Sequence, residues 1–169
     1  VLPVTPMFHV NSWGVPYGAV MMGAKLVFPG PHLQPADLLD LIQLESPTMA
    51  LGVPTVWMSL IQAYERGLVE QPGRWQLPPG MRSLVGGSAL PESLIRAFAR
   101  HGVWLLQGWG MTETSPVATI SYPTAALAGV SEAERFRRAA MDGVPVPLVD
   151  VRLRTDGRLA REDVDDSVC

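Results

Sequence analysis

Ser83-Leu84-Val85-Gly86-Gly87-Ser88, Pro91 to Gly102 (PESLIRAFARHG) and Val103-Trp104-Leu105-Leu106-Gln107-Gly108-Trp109-Gly110 follow one another almost without a break. The first is a short apolar run that breaks into glycines, which reads as a strand entering a turn. The second is an amphipathic helix closed by Gly102. The third is another strand, Val103–Leu106, running into a second glycine cluster. Two strands joined by a helix imply a parallel pair. The rest of the chain repeats the alternation.

Upstream, Val1–Val4 reads as a strand and Ser12–Met22 as a helix capped by Asn11 or Ser12. Ala24–Phe28 is a short β-branched and aromatic run. Leu38, Leu39, Leu41, Ile42 and Leu44 have helical spacing behind Pro35, and Thr48–Leu51 reads as a strand. Val56, Trp57, Leu60, Ile61 and Tyr64 form one helical face, opened by Pro54 and expected to stop near Gly67. Gln71–Gly80 is a loop. Downstream, Ser131 with Glu134 is a capping box for a helix through Ala140. Val149–Arg154 alternates like a half-buried strand, and Asp156-Gly157 is a hairpin turn. The expected fold is α/β: a layered, largely parallel sheet flanked by helices.

Composition narrows the chemistry. The chain has 169 residues, 47% hydrophobic, with net charge −3. That suits one domain with a real core and argues against a sequence-independent nucleic-acid binder, which needs a basic face. Twelve of the 13 basic residues are Arg; the only Lys is Lys25. The only Cys is Cys169, so no disulfide framework exists and a reducing compartment is permitted. No apolar run is long enough for a membrane helix, and no secretory signal is visible. His9, His32 and His101 lack metal-ligand spacing, and Lys25 does not complete a Walker loop.

Ligands of open α/β sheets sit beyond the carboxyl ends of the strands. That rule selects Phe8–Trp13, Gly86–Ala89 and Gln107–Thr114. In the last, the glycines permit close backbone approach and Trp109 offers a flat π face. Thr112 and Thr114 carry hydroxyls, and Glu113 is a hard oxygen ligand. This set describes a nucleotide site, or equally a glycine turn with a buried Trp and a capping Thr. Gly86-Gly87-Ser88-Ala89 is either a ligand cradle at a helix start or a plain turn with Ser88 near the cap. A nucleophile elbow is excluded, because Leu90 stands where the second Gly belongs and the only later His, His101, lies in the very next helix.

Five ordered segments resemble the adenylate-forming superfamily: Pro6–Trp13 (PMFHVNSW), Gly52–Thr55 (GVPT), Val85–Ala89 (VGGSA), Gln107–Pro116 (QGWGMTETSP) and Asp142–Pro147 (DGVPVP). The likeness is to bacterial medium- and long-chain fatty-acyl-CoA synthetases, whose first motif carries both the His and the Trp. The resemblance implies ATP, Mg²⁺ and coenzyme A as cofactors, with a fatty acid as substrate. Trp109 stands where the family has an adenine-stacking Tyr. Thr112 would contact the α-phosphate and Glu113 would hold Mg²⁺. Gly86, Gly87, Ser88, Ala89, Gln107, Gly108, Gly110 and Met111 would line the nucleotide site. His9 would lie by the carboxylate, with Thr112 and Glu113 as its catalytic company; Trp13 would gate the acyl tunnel, beside Val53.

Residues 1–169 are expected to be an internal fragment of a large AMP-binding N-terminal domain. The family's upstream phosphate loop, its ribose-binding segment and its C-terminal lysine domain are not found in them. Arg154-Thr155-Asp156-Gly157 only superficially resembles the ribose segment. The parent enzyme is expected to be a cytoplasmic ligase, with peripheral membrane contact and a homodimer allowed, and the fragment alone to be inactive. Rival readings are an aryl-CoA ligase, an amino-acid adenylation domain, or a non-catalytic α/β binding module.

Overall fold

The computed structural model describes residues 1–125 and 129–152, together with the backbone of Arg154–Thr155 and Arg158–Leu159. A six-stranded sheet runs in simple sequence order: β1 (Leu2–Pro3), β2 (Met49–Gly52), β3 (Arg82–Val85), β4 (Trp104–Gly110), β5 (Val117–Ile120) and β6 (Val144–Pro145). β1 to β4 are mutually parallel, in the register Leu51↔Leu84 and Leu84↔Leu106. β5 and β6 add antiparallel. Parallel neighbours need a crossover, and helices supply each one. α2 (Val15–Met21) and α3 (Pro35–Glu45) lie between β1 and β2, α4 (Pro54–Glu70) between β2 and β3, and α5 (Glu92–Ala99) between β3 and β4. α6 (Glu132–Ala139) links β5 to β6.

Strand alternation sorts the side chains into two layers. Leu2, Ala50, Val85 and Leu105 meet Leu38 and Ile42 of α3, Trp57 and Leu60 of α4, Ile95 and Phe98 of α5, and Phe136 of α6. Leu51, Leu84, Leu106 and Ile120 point to the opposite face, where Trp13 and Val15 cover them in part. Each fully buried side chain of this size contributes roughly 1.5–3 kcal/mol. The main core therefore lies between the sheet and the α3–α6 layer, and the thinner face lies towards the site.

Several elements differ from their expected limits. α4 does not stop at Gly67 but continues to Glu70. Gly67 is instead a close-packing position, since a Cβ there would stand 2.6 Å from the Trp75 ring. The run Ala24–Phe28 forms no strand, though Val27 N donates to Val1 O at 3.0 Å. Residues 149–152 are not a half-buried strand: the segment is irregular, with Val151 and Arg152 exposed. Arg154 and Thr155 pair with Leu159 and Arg158, while the expected turn residues Asp156 and Gly157 lie outside the described residues. β5 carries no signal in the sequence reading. Lys25 pairs with Glu45, and its carbonyl accepts from the Val1 amino group, which places it at the opposite end of the strands from the glycine clusters.

Candidate functional site

β4 passes straight through Gly108-Trp109-Gly110 rather than ending before it. Its first half pairs with β3, and its second half pairs with β5 in the register Gly108↔Ile120 and Trp109↔Thr119, with an irregularity between Trp109 and Gly110. A Cβ on Gly110 would lie 1.7 Å from Pro116 O, so only glycine fits. The chain then folds into a 3-10 turn, Thr112–Thr114. Thr114 Oγ1 accepts from Met111 N at 2.8 Å and closes this turn, so its hydroxyl is occupied. Thr112 and Glu113 are exposed, and neither side chain has a hydrogen-bond partner among the described residues. Trp109 is 41% exposed, an open aromatic face rather than a core residue.

The β3–α5 loop forms the neighbouring wall. Gly86 is buried, and a Cβ there would stand 2.8 Å from Gly108 O and 3.5 Å from the Trp13 ring. α5 starts only at Glu92, behind Pro91 as cap, so Ser88 caps nothing and Gly86–Ala89 is not a first helical turn. Gln107 is buried. Its Oε1 accepts from Leu90 N at 2.8 Å and its Nε2 donates to Gly108 O at 3.3 Å, tying the loop to β4.

The third wall departs most from expectation. Where the sequence suggests a helix beginning at Ser12, α1 (Val10–Trp13) is a left-handed turn. Val10, Asn11, Ser12 and Trp13 have φ of 47°, 51°, 52° and 58°. Left-handed backbone costs an L-residue roughly 1–2 kcal/mol, and it ordinarily occurs at single positions. The right-handed helix starts only at Val15. His9 precedes the turn and is exposed, while Trp13 ends it half-buried.

These walls enclose a cavity of about 330 Å³. His9, Trp13, Gly86, Gly87, Gly108, Trp109, Gly110, Met111, Thr112 and Glu113 all line it. Ser88, Ala89, Gln107 and Val53 do not: the first two point away on an exposed loop, Gln107 faces inward, and Val53 packs behind Gly87. Val10, Leu84, Pro116 and Val117 also line it; Val10 and Pro116 lie inside the segments Pro6–Trp13 and Gln107–Pro116, but the sequence reading gives none of the four a role. The strand alternation of β3 could have pointed to Leu84; the others depend on the turn and on β5.

Electrostatically the cavity is bare. Among the described residues its ionisable lining groups are His9 and Glu113, with no Lys or Arg. Among the described residues no cluster of three or more His, Cys, Asp or Glu could hold a metal alone. A single carboxylate suits Mg²⁺, which keeps several waters and takes its remaining ligands from substrate phosphates. A polyphosphate beside Glu113 would also need such a cation to offset repulsion. The donor set therefore fits magnesium held jointly with a nucleotide.

The family model described as AMP-binding enzyme matches residues 1–164. The chain belongs to the AMP-binding enzyme family. This AMP-binding enzyme segment is 46% identical over 164 residues to a long-chain-fatty-acid–CoA ligase of Thermus thermophilus, covering 96% of this chain and 29% of that protein. It is 44% identical over 158 residues to a medium-chain-fatty-acid–CoA ligase of Ectopseudomonas oleovorans, covering 92% of this chain and 28% of that protein. The segment thus spans less than a third of the length of these relatives. Its fold matches the N-terminal domain of FACL13 from Mycobacterium tuberculosis, with TM-score 0.71, 24% identity, and coverage of 94% of this chain and 37% of that one. It also matches o-succinylbenzoate coenzyme A synthetase from Bacillus subtilis in complex with ATP and magnesium ion, with TM-score 0.70, 22% identity, and coverage of 94% and 30%. Both share the α/β architecture of this chain. No helix among its described residues is long and apolar enough to cross a membrane.

Proposed function

We propose that residues 1–169 are an internal part of the N-terminal domain of a fatty-acid–CoA ligase. The parent enzyme would join a fatty carboxylate to ATP, releasing pyrophosphate and forming an acyl-adenylate. The coenzyme A thiol would then attack the acyl carbon, giving the thioester and AMP. A carboxylate is a poor electrophile, and adenylation gives it a good leaving group.

One observation carries the reading. The open face of Trp109, the free side chains of Thr112 and Glu113, and the His9–Trp13 wall converge on one cavity. Adenine stacks on Trp109, a contact worth about 1–3 kcal/mol for a base on an aromatic ring. Gly86, Gly87, Gly108 and Gly110 leave room for the nucleotide backbone to approach. The Thr112 hydroxyl donates to an α-phosphate oxygen, and Glu113 holds magnesium, which would neutralise phosphate charge. His9 stands by the acid carboxylate, and Trp13, with Val10 and Leu84, forms the apolar wall for the chain. Gln107 and Val53 support this lining from outside it.

Amino-acid adenylation fits less well, because among the described residues no Asp lines the cavity to pair with a substrate ammonium. The proposal extends to a cytoplasmic whole enzyme, homodimeric and touching membranes only peripherally through its fatty substrate. The test is acid-dependent pyrophosphate exchange on the full-length enzyme with fatty, aryl and amino acids, followed by AMP release on adding coenzyme A. Fatty acids are expected to support both. Exchange driven better by aryl or amino acids would overturn the reading.

A further inference from the structure

The α1 turn holds a conformation that its own residues disfavour, so something outside it must keep it there. Its internal bonds, Ser12 N to His9 O at 3.1 Å and Gly14 N to Val10 O at 3.2 Å, stay within the segment and give no anchor to the rest of the fold. Beside the packing of Trp13 on the Leu51–Leu84 face, the outside tie is a hydroxyl pair. Thr5 Oγ1 lies 2.5 Å from Ser12 Oγ, and Ser12 Oγ donates to Thr5 O at 2.9 Å. Ser12 has only one hydroxyl proton, so with that proton on the Thr5 carbonyl, Thr5 must be the donor in the Oγ–Oγ bond. Ser12 is fully buried and Thr5 is 6% exposed, so water cannot replace either bond. Thr5 in turn follows Val4, whose N donates to Leu51 O at 2.9 Å, which fastens it to the sheet.

We infer that Thr5 and Ser12 are positioning residues: their buried hydroxyl pair locks α1 in its left-handed form and so fixes where His9 and Trp13 stand in the cavity. This rests on the proposed function, because the ligand affected is the fatty acid. Neither hydroxyl touches substrate. The lock acts through the two residues that bracket the turn, on the acyl side of the cavity, and leaves the Trp109–Glu113 wall alone. A merely structural hydroxyl pair would move stability without separating acid from nucleotide.

The experiment uses the full-length enzyme with Ser12→Ala, Ser12→Gly, Thr5→Val and Thr5→Ser. Ser12→Ala and Thr5→Val are expected to raise KM for a fatty acid about ten-fold, equivalent to about 1.4 kcal/mol, with KM for ATP unchanged. Thr5→Ser keeps the hydroxyl and should behave as wild type. Ser12→Gly accepts positive φ and so folds without strain, but it unties the turn, and it should show the same rise in acid KM. Hydrogen exchange over residues 5–14 should accelerate in every variant that lacks a hydroxyl, whether or not acid is bound. An unchanged acid KM in folded Ser12→Gly, a parallel rise in ATP KM, or Thr5→Ser resembling Thr5→Val would overturn the inference. A wild-type enzyme that forms no adenylate from any fatty acid would overturn the proposed function instead, and the exchange experiment would still decide the lock.

Discussion

The Cβ that Gly86 lacks would stand 2.8 Å from the carbonyl oxygen of Gly108. Gly86, just past the end of β3, and Gly108 on β4 thus set the width of the cavity at its base. Because the obstacle is backbone, a side chain at Gly86 can be accommodated only by moving β4. Gly86→Ala is expected to lower stability by about 1–3 kcal/mol, the usual range for overpacking, and to weaken nucleotide binding. Thermal unfolding with and without ATP checks this; a variant with wild-type Tm and ATP affinity would show the approach to be looser than 2.8 Å implies.

Glu113 is the only carboxylate among the described residues that line the cavity. Glu113→Gln keeps its size and removes its charge. Acid-dependent pyrophosphate exchange in the full-length enzyme should fall about 10²–10³-fold, the scale of losing one electrostatic contact in a transition state. Wild-type exchange in a folded variant would exclude Glu113 as the magnesium ligand.

Trp13 and Trp109 line different walls of the cavity and should separate by substrate. Trp109→Ala is expected to weaken ATP binding by about 1–3 kcal/mol, with Trp109→Phe retaining most of it. Trp13→Ala should instead alter the preference among acyl chain lengths while KM for ATP holds. Steady-state kinetics over a series of fatty acids distinguishes the two, and an effect of Trp13→Ala on ATP alone would reverse the assignment.

On α6, Ser131 Oγ accepts from Glu134 N, as the capping box requires, but the Glu134 carboxylate turns away to Arg137 and Arg138. Hydrogen bonding to Arg137, then to Arg138, holds its pKa down at about 2. The folded value lies below the unfolded one. The stabilisation is therefore complete above the ordinary carboxylate range and is lost as pH falls through about 2. Glu134 is half-buried but both its arginine partners are exposed, so salt should weaken the effect. An NMR titration of the Glu134 carboxyl should show the low midpoint, and Arg137→Gln with Arg138→Gln should return it towards normal. An ordinary midpoint in the wild type would contradict the arrangement.

Made alone, the 169-residue chain is expected not to form acyl-CoA. The described residues of the cavity lining include no Lys or Arg, so among them a bound triphosphate would lack most of its counter-charge. Stacking on Trp109 is small against an association cost of roughly 4–15 kcal/mol. A coupled AMP-release assay with ATP, Mg²⁺, coenzyme A and fatty acids should read no turnover above the protein-free control; turnover would show that the chain supplies that charge itself.

Much of this protein is decided locally and is legible in its sequence. The strand–helix–strand unit from Ser83 to Gly110, the buried stripe Trp57, Leu60, Ile61 and Tyr64, and the Ser131 cap all follow from periodicity and turn chemistry. So does the placement of Gly86 and Gly87 beyond the end of β3. Nearest-neighbour physics suffices wherever a segment's own pattern picks its partner face.

Tertiary structure decided the rest. β4 runs on through Gly108–Gly110 only because β5, silent in the sequence, pairs with its far half. α4 crosses Gly67 because Trp75, eight residues further on, fills the missing side chain's place. Gln107 turns inward because Leu90 N needs an acceptor. Val10 to Trp13 take a left-handed form that their own propensities oppose, because the tie to Thr5 lies seven residues from Ser12. In each case the deciding partner is brought close by the sheet, so its energy is not written in the segment it bends.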